Sequence, residues 1–161
     1  MKDTFTFDLD GTLTDPTHRL HLVPTENLDK VETWREFNSA AIDDAPLYDV
    51  IDMCNTLYMA GKTVIILTGR SAEFMEQARE WLRWNCVNYH MLVMRRETDN
   101  RKDAVIKREW LENYGVHRIV SCFDDNPYVI EMMREIGLTV CDVRGFTKQQ
   151  FKDLQDKEKR K

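Results

Sequence analysis

Two aspartates, Asp8 and Asp10, stand two residues apart near the N-terminus, inside the run Phe7-Asp8-Leu9-Asp10-Gly11-Thr12-Leu13-Thr14-Asp15. A close carboxylate pair can hold a hard cation through oxygen while one member attacks an electrophile and the other moves protons. Other groups follow along the chain: Thr68-Gly69-Arg70, the charged stretch holding Asp99, Arg101 and Lys102, and the acidic pair Asp124-Asp125. Carboxylates for a divalent metal, with a hydroxyl and an ammonium for a phosphoryl group, form a set suited to phosphoryl transfer. Taken singly, the parts are weak. A bare Asp-x-Asp is more often two aspartates beside a turn, and Lys102 alone reads as a solvated helix-start lysine.

The elements that position these groups follow from hydrophobic patterning. Thr4-Phe5-Thr6-Phe7 alternates as a strand does, and Gly11 allows the sharp turn after it. Residues 15–46 read as an irregular insertion over the site, with Pro16, Pro24, Pro46 and a short helical piece near Asn27 to Ala41 carrying Trp34 and Phe37. These two aromatics read as packing more readily than as a base-stacking platform. Leu47 to Ala60 has helical spacing and Gly61 closes it. Thr63 to Leu67 is a β-branched run suited to a strand buried on both faces. Thr68 to Ser71 is expected to be a turn, with Ser71 capping a helix that buries Phe74, Ala78, Trp81 and Leu82. Tyr89 to Met94 is a third strand. A helix follows the polar turn at Arg95 to Asp103, with Ile106, Trp110 and Tyr114 on one stripe. Arg118 to Phe123 is a fourth strand, Asn126-Pro127 starts another helix, and Leu138 to Val143 is a fifth strand.

Strands alternating with helices predict an α/β fold: a mainly parallel five-stranded sheet with helices on both faces. The strand C-terminal ends then share one edge, where Asp8, Asp10, Thr68, Asp124 and Asp125 converge. The organisation expected is one domain over 1–146 containing the cap-like insertion, then a charged helix or tail over 147–161.

A length of 161 residues with 42% hydrophobic and 32% charged residues fits one globular domain. The net charge of −5 argues against a protein that coats nucleic acid non-specifically, though not against a local site for a phosphorylated end. No apolar run is long enough for a membrane span, and no signal-peptide pattern opens the chain, so a cytoplasmic location is expected. Cys54, Cys86, Cys122 and Cys141 form no Cys-x-x-Cys pair, which disfavours zinc. Cys122 and Cys141, in apolar runs, are expected to be buried and reduced.

These motifs carry a family resemblance. Asp8-Leu9-Asp10-Gly11-Thr12, Thr68, Lys102 and Asp124-Asp125, in that order, resemble the hallmarks of haloacid-dehalogenase (HAD) superfamily phosphatases. Thr68-Gly69-Arg70, the stretch Arg95 to Asp103, Phe123-Asp124-Asp125 and Arg19 are similar to the 3′-phosphatase domain of phage and bacterial polynucleotide kinase–phosphatases. The resemblance implies a Rossmann-like HAD fold and a Mg2+-dependent phosphatase. It implies Asp8 as nucleophile, Asp10 as acid and base, and Thr68, the Gly69 amide and Lys102 on the transferring phosphoryl oxygens. Magnesium would be held by Asp8, the Asp10 backbone carbonyl, Asp124 and Asp125, the last through water. Arg19, Arg70, Asp99 and Arg101 would contact substrate, with the three arginines near the metal edge. No Gly-x-x-x-x-Gly-Lys-Ser/Thr loop occurs, so kinase activity is not implied. The expected substrate is a 3′-phosphorylated nucleic-acid end; the alternatives are a nucleotide or other small phosphate ester, or a binding module without activity.

Overall fold

The computed structural model describes residues 3–158. Its centre is β1 (Thr4–Phe7), paired on both edges and covered on both faces, so that its threonines and Phe7 are buried. The neighbours are β4 (Thr63–Ser71) and β6 (Ile119–Asp124), with β5 (Met91–Arg95) and β7 (Val140–Asp142) at the edges; every pairing in the sheet is parallel. The order β5-β4-β1-β6-β7 puts the β1, β4 and β6 carboxyl ends side by side. Phe7 lies opposite Phe123 across the β1–β6 pair and the rings stack at 4.3 Å, which fixes register one residue before Asp8.

Helices α2 (Tyr48–Met59) and α3 (Met75–Trp84) cover one face through Ile51, Cys54, Trp81 and Leu82. Helices α4 (Asp103–Tyr114) and α5 (Pro127–Glu135) cover the other through Leu111, Val129 and Met133. Fully buried Leu82 and Leu111 each make the kind of contact whose truncation to alanine costs about 2–5 kcal/mol. Asn126 caps α5 by accepting from the Tyr128 amide, ahead of Pro127 at the first turn.

Several local expectations are corrected. Strand β4 does not stop at Leu67: it runs to Ser71, with a register shift against β5 between Thr68 and Ser71. Ser71 does cap, accepting from the Glu73 amide, but it opens a short 3-10 turn before α3. The stripe facing inward on α4 is Lys107 and Leu111, not Ile106, Trp110 and Tyr114. Those three stay half-buried, Trp110 and Tyr114 stacked at 5.0 Å. Cys141 is exposed because β7 is a short edge strand; Cys122, on interior β6, is buried.

The insertion is a chain of short helical pieces: 3-10 segments at Thr17–Leu22, Val31–Trp34 and Ala40–Asp43, around a five-residue helix α1 (Arg35–Ser39). A two-residue antiparallel ribbon, β2 (Thr14–Asp15) with β3 (Ala45–Pro46), closes its base. Contacts that tie it to the domain include four from loops and α3: Asn100 accepts from the Val31 amide at 2.8 Å, Arg35 pairs with Glu73 at 3.0 Å, Gln77 donates to the Ser39 carbonyl at 2.7 Å, and Trp81 donates to the Asp44 carbonyl at 2.8 Å. The C-terminal segment forms α6 (Lys148–Glu158). No described helix is long and apolar enough to cross a membrane.

Candidate active site

Asp8 leaves the end of β1 with its amide bonded to the Phe123 carbonyl at 2.9 Å, and Asp124 ends the adjacent β6. Between them lies Lys107. Its Nζ donates to Asp8 Oδ1 and Asp124 Oδ2, each at 2.8 Å, and sits 3.4 Å from Asp103 Oδ2. This lysine is 1% exposed. An ammonium so deep is tolerable only when carboxylates surround it. Burial alone would lower its pKa, but Asp103, Asp124 and Asp8 hold it well above the usual value, so Lys107 stays charged.

Gly11, with φ +86, carries the chain past Asp125; a Cβ there would stand 2.2 Å from Asp125 Oδ2. Gly69 is needed for a similar reason, since its Cβ would meet Asp103 Oδ1 at 2.3 Å. Ligand atoms of Asp8, Asp124 and Asp125 lie within 4.8 Å of one another. Burial, then the Asp124 charge, pushes Asp125 up to about 8. Burial likewise raises Asp8 and Asp124 against the pull of Lys107. Asp103 Oδ1 is buried with no hydrogen-bond partner among the described residues. Clustered hard oxygen donors with more negative charge than Lys107 can balance fit a small divalent cation such as magnesium.

That charge excess gives a testable pH dependence. A carboxyl whose folded pKa exceeds its unfolded one disfavours the fold increasingly as pH rises between the two. For Asp125 the window runs from the ordinary 3.8 to about 8. Cation-free protein is therefore expected to lose stability across that window, and magnesium to restore more of it near pH 8 than near pH 5. Thermal unfolding midpoints at both pH values, with and without magnesium, check this; an increment no larger near pH 8 contradicts it.

Asp10 has a different environment. Arg70 grips it with Nε at 3.2 Å and a terminal nitrogen at 2.5 Å, and Arg19 donates to the same carboxylate. Burial would raise the Asp10 pKa, but Arg70 and then Arg19 hold it well below the usual range. Arg19 is itself fixed from behind: Asp44 accepts from Nε and a terminal nitrogen, both at 2.6 Å, and the Phe37 carbonyl accepts from the other at 3.0 Å. Thr14 and His18 complete the Asp44 shell at 2.8 and 2.9 Å.

Asp8, Asp10, Thr68, Arg19, Arg70, Asp124 and Asp125 thus sit together, with Gly69 following Thr68 along β4. Thr68 Oγ1 is buried and accepts from the Arg70 amide at 3.1 Å. Lys102 does not join them: it is the exposed residue preceding α4, because its backbone caps the helix while the inward stripe begins at Asp103. Lys107 is the lysine that reaches the Asp8 and Asp124 carboxylates. Arg101 is also outward, paired with Asp99 at 2.6 Å and Glu109 at 2.5 Å. Arg19 and Arg70 spend donors on Asp10 instead of standing free at an opening. Lys107, Asp103 and Asp44 were missed. The Asp103–Lys107–Leu111 spacing of four was the available signal for two of them; nothing local marks Asp44.

A parallel α/β sheet with paired carboxylates and a buried lysine at its C-terminal edge defines a HAD-type fold, and the likeness to solved structures agrees. A predicted phosphatase from Clostridium acetobutylicum superposes with TM-score 0.64 at 15% identity, covering 96% of this chain and 91% of that one. L-2-haloacid dehalogenase from Xanthobacter autotrophicus gives TM-score 0.59 at 11% identity, covering 94% and 81%. The chain belongs to the polynucleotide kinase PNKP phosphatase domain family, which it matches over residues 2–146, and it is a phosphatase of the HAD superfamily. A chain solved in a Pnkp1/Rnl/Hen1 complex is similar at 26% identity, with TM-score 0.70. The match covers 89% of this chain but 46% of that one, so this chain spans less than half the length of that relative. No curated protein matches it by sequence.

Proposed function

We propose that this phosphatase is a magnesium-dependent phosphomonoesterase that removes 3′-phosphates from nucleic-acid ends through an aspartyl-phosphate on Asp8. The observation that carries the chemistry is Lys107, buried between Asp8 and Asp124 at 2.8 Å from each, beside an Asp10 held by two guanidiniums. Asp8, Asp124 and Asp125 would hold the metal, which supplies positive charge to their carboxylates and to the phosphoryl oxygens. Lys107 pulls Asp8 toward its ionised form through Oδ1 against burial, and a bound cation would add to that pull; the carboxylate then attacks phosphorus and the bond to the ester oxygen breaks. Thr68 and the Gly69 amide stabilise charge on the transferring oxygens.

Asp10 must first carry a proton to the departing oxygen. Arg19 and Arg70 oppose that, but an incoming phosphate ester adds negative charge beside Asp10 and raises its affinity for a proton. After donating, the Asp10 carboxylate takes a proton from water as its oxygen attacks phosphorus, releasing phosphate and regenerating Asp8.

Support for a nucleic-acid end comes from the family match and from relatives solved within an RNA repair complex. One observation favours a second reading, a nucleotide or other small phosphate ester: Arg19 and Arg70 are buried and hold Asp10, which favours a small reacting group over a reach to a second backbone phosphate. A side-by-side rate comparison tests the choice. The 3′-phosphorylated oligonucleotide is expected to be hydrolysed at least about tenfold faster than a 5′-phosphorylated one or a mononucleotide. Preference for the mononucleotide replaces the end-processing reading with the small-ester one.

A further inference from the structure

Helix α6 lies beyond the residues that match the family, 2–146, yet it is built into the fold. Thr147 and Gln150 form a reciprocal cap: the Gln150 amide donates to Thr147 Oγ1 at 3.1 Å, and the Thr147 amide donates to Gln150 Oε1 at 2.9 Å. Lys148 fastens the first turn to α5, 2.6 Å from Glu131 and 5.1 Å over the Tyr128 ring. One turn and a half later, Leu154 packs against Leu20, Val23 and Phe37, with Leu22 and Trp34 around them. This cluster is separate from both faces of the sheet, and it is the floor beneath Arg19. The Arg19 guanidinium lies 4.0 Å over the Phe37 ring and donates to the Phe37 carbonyl.

We propose that Leu154, docked by α6 onto the Leu20–Val23–Phe37 cluster, is a positioning residue that acts through Phe37 and Arg19 on Asp10. The contact path is continuous: Leu154 supports the cluster, Phe37 supports Arg19, and Arg19 holds the Asp10 carboxylate. The insertion needs such support because it consists of helical pieces of four to six residues, whose few internal hydrogen bonds leave it easily opened. The α6 strap binds it to α5, so Arg19 keeps its aim. The role assigned to Asp10 rests on the function proposed above; the docking of α6 on the insertion does not.

The test uses full-length protein carrying Leu154→Asp, with Leu154→Met as the conservative variant and Lys152→Ala as a control on the exposed side of α6. Two substrates separate proton handling from general damage. A 3′-phosphorylated oligonucleotide releases an alkoxide that needs a proton, whereas para-nitrophenyl phosphate releases a stable phenolate that does not. In the first turnover, Leu154→Asp is expected to slow release of the dephosphorylated oligonucleotide about tenfold, with a much smaller loss in release of nitrophenolate; the later hydrolysis of the aspartyl-phosphate, common to both substrates, slows alike. Leu154→Met restores the rate and Lys152→Ala leaves it unaltered. Amide hydrogen exchange should speed up over residues 17–23 in Leu154→Asp, with the central strands unaffected. Equal losses in the two first-turnover release rates, or unchanged kinetics, overturn the positioning role. If wild-type protein hydrolyses neither ester, the proposed function fails; exchange then judges the strap alone, and unchanged protection over 17–23 overturns it.

Discussion

Lys107→Met is expected to reduce kcat by about 10²–10³-fold, while Lys102→Ala leaves it near the wild-type value. Methionine keeps much of the chain length but removes the charge that holds Asp8 Oδ1 and Asp124 Oδ2. Loss of one preorganised electrostatic group at a reacting centre typically has that effect. Stability should fall as well, because stripping one partner from a buried charge cluster costs about 3–5 kcal/mol. Magnesium should recover part of the stability, since it supplies positive charge to the same carboxylates. Steady-state kinetics on both variants and thermal unfolding with and without magnesium provide the check. Normal turnover in Lys107→Met, or a large loss in Lys102→Ala, would show that the wrong lysine has been placed at the centre.

Asp8→Asn should be more damaging, with turnover down roughly 10³-fold or more and the fold retained. The amide is nearly the size of the carboxylate and can still lie beside Lys107, but it is a poor nucleophile and a weak metal ligand. Far-UV circular dichroism and an unfolding curve separate lost chemistry from lost structure. Near-normal hydrolysis by a folded Asp8→Asn protein would remove Asp8 from the nucleophile's role.

Sequence patterning located the sheet edge well because its signals are local. Thr4 to Phe7 alternates, Thr63 to Leu67 is continuously β-branched, and Asn126-Pro127 caps a helix; each acts within a few residues. The groups that this order brings together were therefore legible: Asp8 and Asp124 lie at or beside the end of an interior strand, and Thr68 stands where β4 shifts register near its end. Lys107 was not, because a charged residue on an amphipathic helix is normally assigned to solvent. Only the convergence of Asp8, Asp103 and Asp124 makes a buried ammonium favourable there, and that convergence is a property of the assembled sheet. Asp44 was hidden for a related reason. It meets Arg19 across 25 residues of short turns, where no period links one segment to the next. The ribbon that brings them together, Thr14–Asp15 with Ala45–Pro46, is too short to leave an alternating pattern. Arg19 does lie beside the carboxylates, but its direction was not readable: a guanidinium expected at substrate is aimed at Asp10 from within.

The most direct test of the central claim is acid quench of a single turnover on a 3′-phosphorylated oligonucleotide with magnesium, followed by mass spectrometry of the proteolytic peptide containing Asp8. The account predicts a phosphorylated peptide whose modification maps to Asp8, formed and lost within the turnover, and absent from Asp8→Asn protein and from samples quenched with chelator present. Phosphate release at the full rate with no acyl-phosphate on that peptide at any time point, or turnover undiminished by chelator, would contradict it.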